Sequence, residues 1–170
     1  INNNRVGQAQ GIYSVCCAHP RVIEAAMLQA LNDDTEVLIE AIDSWGIQRT
    51  LIKIAGMFSF AIWDKKKKKL LLVRDRMGVK PLYWSKIEDS IYFASEIKSI
   101  LASPKFKKDL NIDALSSYLT FRQAIWDLSF FNGIEKLLPG HYLVFENGQE
   151  SIKKYYELPI NENQEDLGKD

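Results

Sequence analysis

Gly56-Met57-Phe58-Ser59-Phe60-Ala61-Ile62-Trp63-Asp64, five consecutive lysines, Leu70-Leu71-Leu72-Val73, then Arg74-Asp75-Arg76-Met77-Gly78-Val79-Lys80-Pro81-Leu82-Tyr83: this stretch decides the fold. Strand periodicity over 56–63 puts Phe58, Phe60 and Ile62 on one side and Met57, Ser59, Ala61 and Trp63 on the other. Both sides are largely apolar, so the strand is expected to be covered on both faces. Residues 70–73 read as a second strand of the same kind. Lys65 to Lys69 is the only basic block. With apolar runs on both sides it reads as a solvated turn between strands, not as a nuclear signal or an anion patch.

Outward from this core, residues 81–84 and 91–94 predict two more strands. Ser95 is placed to cap a short helix over 96–101, and Pro104 lies beyond its end. Asn111 is a cap for a helix over 112–119. Residues 141–145 predict a strand, Asn147-Gly148 a hairpin turn, and residues 154–156 its return. Toward the N-terminus, residues 11–17 read as a short buried strand that His19-Pro20 breaks, and 21–31 as a helix that Pro20 starts. Residues 35–41 read either as a strand or as the opening of a helix that runs to Trp45. The helix is favoured: Asp33 caps it, Glu36 completes a capping box and Gly46 stops it. Residues 159–170 are polar and acidic and read as a linker or tail. Sheets buried on both faces with helices outside them define a layered α+β domain.

Lysine plus arginine equals aspartate plus glutamate at 22 each among 170 residues. The balance gives no electrostatic reason to expect nucleic acid or an acidic membrane as a partner. No apolar run approaches the ~18 residues of a membrane span, and no signal peptide is visible. The two cysteines are adjacent, Cys16 and Cys17. They form no disulfide framework, which fits a reducing, cytoplasmic setting. With His19 they lack the count and spacing of a zinc site, so buried strand thiols are the favoured reading over a nucleophile or metal ligand. The sequence does not open with Met, as a fragment of a longer reading frame would not.

From about Asp33 to Leu158 the chain resembles the N-terminal class II glutaminase domain of glutamine-hydrolysing asparagine synthetases. Five segments carry the resemblance in order: Asp34-Thr35-Glu36-Val37-Leu38 with Trp45-Gly46; 56–64; Arg74-Asp75-Arg76 through Lys80-Pro81-Leu82-Tyr83; Phe93-Ala94-Ser95-Glu96-Ile97-Lys98; and Leu138-Pro139-Gly140-His141-Tyr142. The resemblance implies part of a four-layer αββα sandwich of the N-terminal-nucleophile type. In that family a cysteine at residue 1 attacks the glutamine side-chain amide. The α-amine, with an ordinary pKa of about 7.7–8.0, serves as base, and an oxyanion hole holds the intermediate. Ammonia then passes to a synthetase domain that uses ATP and magnesium to amidate aspartate. The expected partners are accordingly glutamine, that synthetase domain and, as an option, a second copy in a homodimer. No cofactor is expected within residues 1–170.

Few of the family's site residues carry over. Ile1 stands where the cysteine would, and neither the glutamine-carboxylate arginine nor the Asn-Gly-Glu oxyanion segment precedes Asp34. Only Asp34 matches, at the position that holds the substrate's ammonium group; its structural alternative is a helix cap or turn. Arg74 and Asp75 are candidates for site residues, but an ion pair that orders a strand-to-strand turn is the favoured reading. The missing nucleophile predicts no glutaminase activity.

Residues 1–41 resemble something different, the start of a tagatose-bisphosphate aldolase accessory subunit. Gly11-Ile12-Tyr13-Ser14-Val15-Cys16-Cys17-Ala18-His19-Pro20, Val22 to Met27 and Leu38-Ile39-Glu40-Ala41 carry this resemblance. It implies a foreign β-α-β-like segment, and residues 35–41 would be a strand in one parent and a helix in the other. The expected organisation is 1–33 as that segment, 34–158 as the glutaminase portion and 159–170 as the tail. The alternatives are a non-catalytic remnant or interaction module with exposed apolar surface, or an aldolase-subunit fragment.

Overall fold

The computed structural model describes residues 10–13 and 35–159. The expected helix over 21–31, the rest of the expected 11–17 strand and the tail lie outside the described residues.

The elements run β1 (Gln10–Tyr13), α1 (Thr35–Trp45), α2 (Ile47–Lys53), β2 (Ser59–Asp64), β3 (Lys69–Arg74), β4 (Tyr83–Ile87), β5 (Ser90–Ala94), α3 (Ile97–Leu101), α4 (Ile112–Phe121), β6 (Glu135–Lys136), β7 (His141–Glu146) and β8 (Gln149–Lys154). Two antiparallel sheets form. One has the order β1-β2-β3-β7-β8 and the other β5-β4-β6.

The alternation along β2 and β3 divides the interior into two slabs. Phe60, Ile62, Leu71 and Val73 point to one side, where Leu51, Leu38 and Ile42 of α1 and α2 cover them. Ala61, Leu70 and Leu72 point to the other, against Leu82, Trp84 and Leu137 of the second sheet. Helix α3 packs on β4 and β5. Tyr83 of β4 and Lys136 of β6 are direct neighbours across the ladder and share the outer face of that sheet. The layers are therefore helix, sheet, sheet, helix: an α+β sandwich, as the two-sided apolar pattern and the family resemblance predict.

Local chemistry explains where the elements end. Residues 35–45 form a helix. Gly46, expected as its stop, has φ 78° and also caps α2, a helix that the sequence pattern does not reveal. Thr50 bolts the two helices together, its hydroxyl donating to the Ala41 and Gly46 carbonyls at 3.0 and 2.9 Å. The expected 56–63 strand starts only at Ser59, and Met57 is exposed. The lysine block is a turn whose backbone N–H groups at Lys66 and Lys67 donate to Asp64 Oδ1, both at 3.0 Å.

Several boundaries are corrected. The 81–84 strand is moved to Tyr83–Ile87, because residues 75–80 are held in a separate loop and Pro81 has no N–H to give a ladder. Glu96, not Ser95, is the N-cap of α3, and it makes no side-chain cap bond. Asn111 caps α4 as expected, with Oδ1 3.0 Å from the Ala114 N–H. Asn147 and Gly148 both have positive φ, 52° and 74°, the signature of a two-residue I′ hairpin. A loop that short returns the chain at once, so the strand expected at 154–156 is instead Gln149–Lys154.

Leu72 is fully buried in the middle of the larger sheet, whereas Ile152 on β8 is 46% exposed. Leu72→Ala should cost about 3 kcal/mol in urea unfolding through the cavity it leaves, and Ile152→Ala about 1 kcal/mol or less.

Candidate functional site

Beyond the end of β3, Arg74 and Asp75 are almost completely buried, 7% and 1% exposed. They do not form the simple ion pair expected from the sequence; each is committed to backbone groups. The Arg74 guanidinium donates from Nε to the Lys80 carbonyl (2.9 Å), from Nη1 to Leu137 (2.6 Å) and from Nη2 to Gly78 (2.7 Å). Asp75 Oδ1 accepts from the N–H groups of Met77 (3.1 Å) and Val79 (3.0 Å), and Oδ2 from Lys80 (2.9 Å). A planar fork suits divergent carbonyls, and a carboxylate suits convergent N–H groups. The correction has a plain cause: a tight loop exposes more unpaired backbone groups to these two side chains than they expose to each other. Burial lowers the Arg74 pKa, with the Asp75 charge opposing that shift.

The same corner is tied to the segment before β7. The Asp75 backbone accepts from the Gly140 N–H at 2.9 Å and donates to the Phe58 carbonyl at 2.8 Å. The Tyr155 hydroxyl donates to the Arg74 carbonyl at 2.8 Å. Gly78 has φ 65°, and a Cβ there would lie 2.6 Å from Pro139 Cγ. Gly140 has φ 68°, and a Cβ there would lie 2.7 Å from the Tyr156 carbonyl oxygen. Two of the quoted motifs, 74–83 and 138–142, are thus the two halves of one junction. Arg76 extends it, donating to the Ile52 carbonyl at the end of α2 and resting 4.9 Å above the Tyr156 ring.

Chemically this junction holds; it does not react. The side-chain polar atoms of Arg74 and Asp75 are engaged with backbone partners, while the Arg76 Nε is buried without one, and no nucleophile sits among these groups. No group of His, Cys, Asp and Glu suited to a metal ion occurs among the described residues, and no helix there is long and apolar enough to cross a membrane. Asp34, Cys16, Cys17 and His19 lie outside the described residues. The helix that Asp34 would open, α1, packs Leu38 and Ile42 on the core. Tyr155 and Lys136 are not among the sequence candidates. Nothing in the local pattern marks the first, one of two adjacent tyrosines after an exposed strand. The second belongs to a two-residue strand too short to show periodicity.

The chain belongs to the glutamine amidotransferase domain family, whose model matches residues 24–156, more than half of its length. Residues 1–46 also match a model described as D-tagatose-1,6-bisphosphate aldolase subunit GatZ/KbaZ-like, so the two matches overlap over 24–46. Among curated relatives, asparagine synthetase [glutamine-hydrolyzing] 2 of Bacillus subtilis (strain 168) is 42% identical over 117 residues, 66% of this chain and 16% of the relative. Asparagine synthetase [glutamine-hydrolyzing] 3 of the same organism is 35% identical over 128 residues, 75% of this chain and 21% of the relative. The chain thus spans about a fifth of these relatives. Among solved structures, glutamine phosphoribosylpyrophosphate amidotransferase from B. subtilis shares the fold with a TM-score of 0.50 at 15% identity, covering 92% of this chain and 31% of that one.

Asp75→Ala should leave three partly buried N–H groups without their acceptor and destabilise the protein by about 2 kcal/mol. Faster amide exchange at Met77, Val79 and Lys80 is the local signature to measure. A second expectation concerns pH. Burial raises the Tyr155 hydroxyl from an ordinary value near 10 to about 12. A raised acid favours folding while it is protonated, so the contribution is complete below about pH 10 and disappears as the pH climbs toward 12. Tyr155→Phe should remove the latest-titrating phenolate from the 295 nm absorbance curve and flatten the loss of stability across that window.

Proposed function

We propose that this chain is the glutaminase portion of a glutamine-dependent asparagine synthetase. Its role there is to shape a site in which glutamine is hydrolysed and from which ammonia reaches an ATP- and magnesium-dependent domain that amidates aspartate. Support comes above all from the similarity of the junction-bearing region to two synthetases whose names specify glutamine hydrolysis. In this proposal Asp34 holds the ammonium group of glutamine at the start of α1. The Arg74–Asp75 junction fixes the sandwich around that site without touching substrate.

The 170-residue polypeptide lacks the cysteine that the family uses, having only Cys16 and Cys17 within the aldolase-like match. An internal cysteine has no α-amine of its own to serve as base. The polypeptide assayed as such is therefore an inactive scaffold, with residues 1–33 as a foreign segment, 34–158 as the glutaminase portion and 159–170 as a tail. It works in the cytoplasm, where the synthetase domain and, in a homodimer, a second copy would be its partners.

A non-catalytic interaction module is the second reading, favoured by one observation. Ile112, Leu119, Phe121 and Trp126 are 67%, 73%, 62% and 76% exposed in and just after α4. Large apolar groups gathered in this way mark a surface that is covered by something else.

Purified polypeptide incubated with glutamine should release no more glutamate than a Cys16→Ala/Cys17→Ala double variant. Release clearly above that control would overturn the inactive-scaffold reading.

A further inference from the structure

The outer face of the smaller sheet carries a cleft that borders the junction. Tyr83 and Lys136, paired across β4 and β6, form its floor; Tyr118 of α4, Phe130, Gln123 and Ala124 line its walls. Its volume is about 250 Å³. That is below the ~300–1,000 Å³ of clefts that hold drug-sized molecules, so the space suits a single ring or a short chain.

Lys136 stands out in this cleft. Its Nζ is only partly buried and donates to the Ala124 carbonyl at 3.2 Å, and among the described residues no carboxylate lies within ion-pair distance of it. Burial lowers the amine's pKa, the Arg74 charge lowers it further by repelling the ammonium, and the Asp127 charge opposes both. A cation drawn partly out of water without a direct ion-pair partner is costly, and an anion entering the cleft would supply that contact. The aromatic walls favour a planar group beside it. Tyr118 and Phe130 already meet edge to face at 5.3 Å, which fixes one wall.

We propose that this cleft binds a small planar carboxylate, with Lys136 pairing the carboxylate and Tyr118 and Phe130 flanking the ring. The cleft takes no part in the hydrolysis of glutamine proposed above, so this inference goes beyond that function and stands or falls independently of it.

Benzoate, titrated into the full chain by calorimetry and by chemical-shift mapping, is the probe. Binding with shifts at Tyr83, Tyr118 and Lys136 is expected, together with at least tenfold weaker binding of benzamide, which has the same shape and no charge. Lys136→Met should weaken benzoate about tenfold while keeping the aliphatic stem and the circular dichroism spectrum. The proposal is overturned if wild-type protein shows no benzoate binding at about 10 mM, roughly ten times the Kd of a weak millimolar site. It is equally overturned if benzamide binds as well as benzoate; that comparison needs no variant and survives any misfolding of Lys136→Met.

Discussion

The structure depends on how one tight loop disposes of its backbone polar groups. Residues 75–80 connect the two sheets, and a connection crossing between packed layers would ordinarily bury N–H and C=O groups that no ladder can use. Arg74 takes the carbonyls and Asp75 takes the N–H groups. Because Arg74 also reaches Leu137 and Asp75 also meets Gly140, the loop is fixed to the segment that opens β7. The distance between the sheets, the position of Leu82 and Leu137 between them and the entry of β4 all follow from that corner. Charged side chains are seldom worth burying for their mutual attraction; here they are buried because they complete the main chain.

The two slabs were readable because strand periodicity assigns side chains to faces without reference to anything distant. Phe60 and Ile62 on one side and Ala61 on the other follow from alternation alone. The I′ turn at Asn147-Gly148 and the Asn111 cap were readable for the same reason, since each is a local bargain between a side chain and its own backbone. What stayed hidden was set by partners far along the chain. Helix α2 is held by Thr50 reaching back to Ala41, β6 exists only because β4 is beside it, and Tyr155 matters only because Arg74 is 81 positions earlier. The site is the less legible part. Arg74 and Asp75 show in the sequence as a charged pair, but their true partners are main-chain atoms that carry no sequence signal. The cleft beside Lys136 is built by segments whose individual patterns show nothing.

The exposed apolar residues along α4 differ from the covered core in kind. Ala114 and Ser117 are buried, whereas Ile112 and Leu119 are exposed beside the polar Asp113, Ser116 and Thr120. Large apolar side chains on the solvent side of a helix mark a surface that another surface covers. In the isolated domain it lies at the boundary, next to the cleft, and whatever covers it would also change access to Lys136.

Strand β1 has a consequence for how such a chain can arise. It lies inside the match to the aldolase-subunit model and ahead of the match to the amidotransferase model, yet it pairs residue for residue with β2, Gln10 opposite Trp63 through Tyr13 opposite Phe60. A sheet edge reads hydrogen-bond spacing, and every non-proline residue offers the same spacing. Ancestry is therefore invisible to it. A border strand places few demands on the side chains that supply it, and residues outside the amidotransferase match complete the edge of this sheet.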